Sequence, residues 1–223
     1  MSLKNKWILC CVLIYIVPQV CIGQTKDSMY KKFTYARIGV DMAKLVANVM
    51  QNQYATYEFM IDANFKKDIN IVSDFGFGHS SVKNSFIEYA SRNYFTTFGI
   101  DKTFFNKEYF GDMDNVFVSL RYGFAHVKRQ DATYAIQDPI WGNVQGVYPS
   151  TSFNAHWLEF GSGFKMQVYH HIFLGWNIRF KTLINPKKVQ NLAPAYISGY
   201  GNGNKNTVFG YNMFLLYGFG KRN

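Results

Sequence analysis

The chain has 223 residues, enough for one domain with a substantial core. Hydrophobic residues make up 48% of it and aromatic residues 18%, yet its mean hydropathy is slightly negative at −0.14. This combination argues against a bundle of transmembrane helices and favours a chain in which apolar and polar residues are interleaved. The net charge of +10 favours acidic partners, including membrane phosphates, without identifying one.

The amino-terminal segment predicts export. Lys4 and Lys6 precede an apolar run from Trp7 to Val17, and a short segment ending at Gly23 leads into polar sequence. This order is typical of a secretory signal peptide, which we place at residues 1–23 with cleavage after Gly23. The apolar run is too short to be a spanning helix.

The cysteines support this interpretation. All three, Cys10, Cys11 and Cys21, lie inside the signal peptide, so we expect no disulfide or thiol chemistry in the mature chain. Lipoprotein processing before Cys21 is the alternative, but bulky Val20 stands where a small residue is expected. Cleavage after Gly23 removes two lysines and lowers the net charge from +10 to +8.

The mature chain alternates between apolar and polar residues with a period of two, which is typical of β-strands. Helical periodicity is weak and is confined to the region around Ala43 to Met50. The alternating segments are Tyr35–Leu45, Tyr57–Phe65, Ile71–Phe77, Tyr94–Asp101, Val116–Ala125, Trp157–Val168, Ile172–Lys181 and Val208–Phe219. We therefore predict an all-β fold: a single eight-stranded antiparallel up-and-down transmembrane β-barrel over residues 35–223, preceded by a periplasmic segment at residues 24–34.

The connectors orient this barrel. Those around Lys67 and at Tyr169–His171 are short, whereas Val127–Ala155 and Leu183–Asn206 are long. Short periplasmic turns and long outer loops are typical of outer-membrane barrels, so both termini are predicted to be periplasmic.

A soluble lipocalin-type barrel would also alternate, with its polar face toward water. Here the polar face consists mostly of glycine and small polar residues with sparse charges, which favours a crowded lumen. The apolar face is nearly free of charge and contains recurring tyrosine and tryptophan, as expected of a lipid-facing surface with interface girdles. The last strand, ending at Phe219, resembles the signal read by the outer-membrane assembly machinery. These features predict the cell outer membrane as the location.

Four segments also resemble a known family. They are "RIGVDMAKLV" (37–46), "VFVSLRYGFA" (116–125), "AHWLEFGSGFK" (155–165) and "IFLGWNIRFKTLI" (172–184). In this order they resemble a family of small outer-membrane β-barrels of Bacteroidota that carries a domain-of-unknown-function label. The resemblance implies the barrel and the outer membrane, and it implies no activity.

An eight-stranded barrel is just wide enough to be filled by side chains, so we expect no open pore. The inward charges should pair, since unpaired charges are costly away from water, and we place Arg121, Glu159 and Arg179 near the centre of the network. The predicted lumen residues are Arg37, Asp41, Glu58, Asp62, Asp74, Asp101, Arg121, Glu159, Lys165, Arg179 and Lys181. The network either fills and rigidifies the barrel or forms a gated polar path or buried ligand site.

The enzyme alternative is a lipid acyl transferase or deacylase that uses serine, histidine and a carboxylate. The candidates are His79 with Ser80 and Ser81, or His126 and His156 with Asp131. Neither spacing demands catalysis. We predict no metal site and no cofactor, because adjacent histidines such as His170 and His171 point to opposite faces of a strand.

The long loops contain basic residues that would suit lipopolysaccharide phosphates, although solvated loop charges are the simpler interpretation. These residues are Lys128, Arg129, Lys187, Lys188 and Lys205. The expected partners are outer-membrane lipid, lipopolysaccharide, the assembly machinery during biogenesis and other envelope proteins, with no nucleic acid.

The sequence thus predicts a filled barrel with a structural or binding role, as an accessory subunit of an envelope complex. A lipid-modifying enzyme and a small gated channel are the alternatives.

Overall fold

The computed structural model describes residues 34–51, 53–66, 68–104, 114–138, 142–184 and 194–221. The predicted signal peptide and almost all of the predicted periplasmic segment lie outside these residues. Within them, no helix is long and apolar enough to cross a bilayer.

The described chain contains twelve strands and one helix. In order they are β1 (Thr34–Asp41), α1 (Met42–Met50), β2 (Tyr54–Lys66), β3 (Ile69–Lys83), β4 (Ile87–Thr103), β5 (Asn115–Arg129), β6 (Ala132–Asp138), β7 (Gly142–Tyr148), β8 (Thr151–Tyr169), β9 (Ile172–Leu183), β10 (Tyr196–Ile197), β11 (Gly201–Asn202) and β12 (Thr207–Lys221).

Eight of these strands form a closed antiparallel barrel. The pairing runs from β1 through β2, β3, β4, β5, β8, β9 and β12, and β12 pairs with β1 to close the ring. Every neighbour in this ring is also the next barrel strand along the chain. The predicted all-β, eight-stranded, up-and-down fold is therefore confirmed.

The strand period separates two surfaces. Large apolar side chains such as Ile61, Phe98, Leu120 and Phe160 are 44–59% exposed and cover the outside of the barrel. Their chain neighbours point inward and are buried, as in β2, where Glu58, Met60 and Asp62 are at most 1% exposed. An apolar exterior around a polar interior is the arrangement of a lipid-facing barrel.

Two connections differ from the prediction. β1 ends at Asp41 rather than at Leu45, because the Asp41 carboxylate accepts hydrogen bonds from the backbone N–H groups of Ala43 (2.9 Å) and Lys44 (3.3 Å) and so caps α1. The helix lies where the weak helical periodicity stood. The predicted loop Val127–Ala155 is largely β-structure, since β5 and β8 extend into it and the β6–β7 hairpin occupies its middle.

The two ends of the barrel differ in their connections. We call the end with the β2–β3, β4–β5 and β8–β9 connections, where β1 begins and β12 ends, the turn end. The other end, with the β1–β2, β3–β4, β5–β8 and β9–β12 connections, is the loop end.

The predicted outer loop Leu183–Asn206 also folds differently. Its described part, residues 194–206, bends into the mouth of the barrel at the loop end, and we call it the plug. Ile197, Ser198 and Tyr200 are at most 2% exposed, and Gly199 is also buried. The plug's apolar side chains pack into a cluster with Phe95, Val127, Ala155, Trp157, Leu183 and Val208. Apolar burial therefore draws this segment inward and closes the loop end of the lumen.

Gly199 is required for this insertion. Its φ is +79°, which favours glycine, and a Cβ at this position would overlap the ring of Phe95.

Candidate functional site

The centre of the lumen is built around Arg179 on β9. Its Nη1 lies 2.7 Å from Asp74 Oδ2, 3.4 Å from Glu58 Oε1 and 3.5 Å from Glu159 Oε2. The three carboxylates come from β3, β2 and β8, so one guanidinium links four strands.

Arg121 on β5 forms the second centre. It donates to Asp74 Oδ2 at 2.5 Å and to Asp101 Oδ1 at 3.1 Å. Asp74 is shared by both arginines and also accepts from the Thr97 hydroxyl at 3.1 Å. Arg121 lies opposite Glu159 in the β5–β8 register, but its ion pairs are with the two aspartates.

Toward the turn end the network continues through Lys165 and Arg37. Lys165 Nζ contacts Asp62 and lies 2.8 Å from Asp101 Oδ2. Arg37 binds both oxygens of Asp62, with Nε–Oδ1 at 3.1 Å and Nη2–Oδ2 at 2.8 Å. This two-point geometry is the strongest form of an arginine–carboxylate pair.

Toward the loop end the network reaches the plug. Lys181 Nζ lies 3.6 Å from Glu159 Oε1 and donates to the backbone carbonyl of Gly199. Trp157 Nε1 donates to the same Glu159 oxygen at 2.7 Å. The charged lumen and the plug are therefore one connected structure.

The remaining predicted lumen residue, Asp41, has a different role. Besides capping α1, it accepts hydrogen bonds from Asn212 Nδ2 at 2.5 Å and from the Met213 backbone N–H at 3.3 Å. It fixes the end of β1 against β12 rather than pairing with a cation.

All eleven predicted lumen residues are at most 5% exposed. Together with Arg129, the buried charged side chains of the described chain comprise six cations and six anions. Opposite charges in such balance offset the cost of desolvation, and removal of one member leaves a buried charge unpaired. The arrangement therefore places paired, buried charges through the interior of the barrel.

The predicted phosphate-binding residues are not equivalent. Lys128 is exposed on β5 and Lys205 is exposed in the plug. Arg129 is only 3% exposed, and its guanidinium donates to the backbone carbonyls of Gln130 (2.9 Å) and Pro149 (2.7 Å), so it does not face solvent as a loop residue would. Lys187 and Lys188 lie outside the described residues.

The candidate catalytic groups have separate partners. Ser80 is buried and its hydroxyl is 2.8 Å from that of Ser91, whereas His79 is exposed on the opposite face of β3. His126 Nδ1 contacts Asn154 Oδ1 at 2.8 Å, and His156 Nδ1 lies 2.6 Å from the Tyr122 hydroxyl.

Asp131, the carboxylate proposed to join these histidines, accepts instead from the Ser150 backbone N–H at 2.6 Å. Within the described ranges, no three histidine, cysteine or acidic residues converge as a metal site would require.

A further feature was not predicted: a gap in the barrel wall at the loop end. Pairing of β1 with its neighbours stops at Asp41–Phe214 on one side and at Val40–Phe59 on the other. β2 continues for residues 54–58 and β12 for residues 207–213 with no strand between them. The five residues of β2 correspond to a gap about 16 Å tall.

Helix α1 lies along this gap and contacts both β2 and β12. The Asn48 side chain donates to the Thr56 carbonyl and accepts from the Thr56 N–H, both at 2.8 Å. One asparagine therefore replaces, at this point, the backbone hydrogen bonds of the missing strand.

A cavity of about 660 Å³ lies between α1, the plug and the two strand edges. Inside the barrel it is lined by Thr56, Glu58 and Lys181, and outside the barrel by Phe209 and Tyr211, which are 78% and 62% exposed. The cavity thus lies in the wall gap, between inward-facing Glu58 and outward-facing Tyr211. The only sequence signal for this region was the weak helical periodicity, which does not reveal a gap.

The phenol of Tyr200, at the inner side of the plug, donates to the Lys205 carbonyl at 2.7 Å. Burial raises the pKa of Tyr200 to about 12. Its hydroxyl therefore remains a donor well above neutral pH.

A protein-family comparison matches residues 4–219 to the family described as "Domain of unknown function (DUF6048)". No curated protein sequence matches the chain. Among solved structures, the chain is similar to Ail, the attachment invasion locus protein of Yersinia pestis, with 13% identity, a TM-score of 0.43, and coverage of 85% of this chain and 100% of Ail. It is also similar to Neisserial surface protein A, with 10% identity, a TM-score of 0.40, and coverage of 82% and 94% of the two chains. Because both TM-scores lie below 0.5, the barrel assignment rests on the strand pairing itself.

Proposed function

This chain belongs to the DUF6048 family, and we propose that it is an outer-membrane β-barrel with a structural and binding role, as an accessory subunit of an envelope complex. The observation that carries the proposal is the lumen, which is filled by paired charges and closed by the plug. Such an interior suits a rigid anchor better than a diffusion pore.

The outer surface supports the membrane location. Apolar side chains cover it, and aromatic residues such as Tyr94, Phe209 and Tyr211 are exposed near the loop end, where an interface girdle would lie. In this proposal residues 1–23 are removed during export, the termini are periplasmic, and the loop end faces outward toward lipopolysaccharide.

The β6–β7 hairpin supports a protein partner. One face presents Ile136, Val144 and Tyr148, which are 48–51% exposed, and Ile136 lies opposite Val144. Within the described chain, β7 pairs only with β6, so its other edge is open to an added strand. An apolar face beside an open edge is typical of a docking surface.

Two experiments test the proposal. In planar bilayers, the purified protein should give no steady conductance, and a variant in which a short glycine-serine linker replaces residues 195–203 should remain nearly closed because the charge network still fills the lumen. Steady channels from the wild type would contradict the filled lumen.

A mild-detergent pull-down from the outer membrane should recover a stoichiometric envelope partner. Ile136→Asp with Val144→Asp should abolish its recovery, whereas Lys128→Gln should not. Recovery of no partner by the wild type would refute the accessory-subunit role.

A further inference from the structure

We propose that the gap between β2 and β12 is a lateral binding site for an anionic phospholipid or glycolipid, whose phosphorylated headgroup enters the cavity while its acyl chains remain outside the barrel. This inference rests on the proposed membrane location. It names a ligand and a site that the structural role does not require.

The first argument is the shape of the wall. In a complete barrel, neighbouring strands seal the interior from lipid along their whole length. Here β1 ends at Asp41, and α1 covers the gap without forming a strand. The cavity consequently has lining residues on both sides of the wall, including buried Glu58 and exposed Tyr211.

The second argument is charge. Lys44 from α1, Lys181 from β9 and Lys205 from the plug all line the cavity, against one carboxylate, Glu58. Lys181 has Glu159 as an ion-pair partner, whereas Lys44 and Lys205 make no close ion pair within the described residues. Tyr196, Glu58 and Asp41 act on Lys44 only through longer-range electrostatics. Three lysines beside one lining carboxylate favour an anion, and phosphate is a preferred partner of lysine.

The third argument is an unpartnered buried oxygen. Glu58 is 1% exposed, and its Oε1 is held by Arg179 and Asn212. Its Oε2 has no hydrogen-bond partner in the described structure. A buried acceptor favours a ligand that can donate to it, so the headgroup should carry a hydroxyl or ammonium group as well as phosphate.

The fourth argument is the apolar rim. Phe209 and Tyr211 flank the gap on the outer surface, and Val46, Val49 and Met50 of α1 are 54–85% exposed. These residues continue the lipid-facing surface up to the opening. An amphiphile can therefore place its chains on this rim while its headgroup reaches the lysines, at the level where aromatic girdles meet lipid headgroups.

The test uses the full mature protein in a neutral maltoside detergent, with binding measured by isothermal titration calorimetry. The probe is dihexanoylphosphatidylglycerol, which carries one negative charge and two hydroxyl groups. Dihexanoylphosphatidylcholine has the same chains but no net charge and no donor. Glycerol phosphate supplies the headgroup without the chains, and inorganic phosphate supplies the anion alone.

We expect phosphatidylglycerol to bind about tenfold or more tightly than either phosphatidylcholine or glycerol phosphate, since only this probe satisfies the lysines, Glu58 and the rim together. Lys44→Gln with Lys205→Gln should weaken its binding by about tenfold. Ala47→Trp, which fills the cavity from α1 while retaining every charge, should abolish binding. Lys102→Gln, exposed on β4 at the turn end and away from the cavity, is the matched control and should change nothing.

Equal binding of the two lipids, or unchanged affinity in the double lysine variant, would overturn the proposal. Glycerol phosphate or inorganic phosphate binding as tightly as the lipid would show a soluble anion to be the occupant. Each variant is first checked for the compact barrel by the shift in gel mobility between unheated and heated samples. Bilayer conductance of the same preparations tests the filled lumen separately, so failure of the lipid site and failure of the structural role give different results.

Discussion

The barrel wall and its interior are built differently at the centre of the lumen and at its loop end. At the centre, every wall position is a paired strand, and Arg121 and Arg179 connect carboxylates on several strands through direct contacts. At the loop end, one wall strand is missing, and a helix and the plug take its place. The centre is therefore specified by the strand period, whereas the loop end depends on segments that return from elsewhere in the chain.

This difference has a functional consequence. The paired charges at the centre offer little to a ligand, because the buried atoms there that lack a hydrogen-bond partner, Asp74 Oδ1, Arg121 Nε and Arg179 Nη2, belong to residues that do not line the cavity. The loop end leaves one buried oxygen of Glu58 without a hydrogen-bond partner, beside a cavity that Lys44 and Lys205 also line. Stability should thus be concentrated at the centre and binding at the loop end.

The largest expected effect comes from breaking the centre. Arg179→Met should lower the free energy of unfolding by about 3–5 kcal/mol, because Glu58, Asp74 and Glu159 lose a shared cation while they remain buried. Urea unfolding in detergent, followed by tryptophan fluorescence, measures this loss. Lys128→Met is the control and should change the free energy by less than about 0.5 kcal/mol. A loss below about 1 kcal/mol for Arg179→Met would show that the network does not brace the barrel.

The next effect tests packing between the centre and the plug. A Cβ at Gly123 would overlap the indole of Trp157, which packs on Tyr200 at a centroid distance of 5.7 Å. Gly123→Ala should therefore cost about 1–3 kcal/mol of unfolding free energy and shift the tryptophan emission.

Gly210→Ala is the matched control for this packing test. Its Cβ would meet only the flexible end of Lys181, at 3.3 Å. Equal losses for the two glycine variants would mean that close packing against the indole is unimportant.

A smaller effect is expected at the wall gap. Asn48→Ala removes both hydrogen bonds to Thr56 and should cost about 1 kcal/mol. Hydrogen exchange at the Thr56 amide should accelerate, while exchange at the Met60 amide, which faces β1 opposite Gly39, should not. Val49→Ala, at a side chain that is 85% exposed on the same helix, is the control. Unchanged exchange at Thr56 would indicate that α1 does not seal the strand edge.

The sequence predicts the centre of the barrel better than its loop end. The period of two identified all eight barrel strands, and its phase separated outward Ile61 from inward Asp62, because a buried face strongly specifies strand register. The inward charges could be named for the same reason. Their partners could not, since Arg121 pairs with Asp74 and Asp101 rather than with Glu159 opposite it.

The plug and the wall gap had no comparable signal. The plug is held by Ile197 and Tyr200 among side chains distant in the chain, and such contacts leave no local periodicity. The gap arises because the Asp41 carboxylate caps helix α1, so that β1 ends there. The apolar–polar alternation of the sequence continues to Leu45 and does not show that a helix replaces the strand after Asp41. The weak helical periodicity around Ala43 to Met50 was the correct signal.

The smallest effect probes the plug through the pH dependence of stability. The pKa of Tyr200 is raised from 10 to about 12 in the folded protein. Between these values the unfolded phenol loses its proton while the folded one retains it, so the unfolded state binds fewer protons and stability falls as pH rises. Tyr200→Phe should flatten this fall, and it should cost at most about 1 kcal/mol near neutral pH through loss of the hydrogen bond to Lys205. Unfolding measured from pH 9 to pH 11.5, with exposed Tyr211→Phe as control, compares the slopes; identical slopes for wild type and Tyr200→Phe would mean that the plug does not hold the phenol in its buried position.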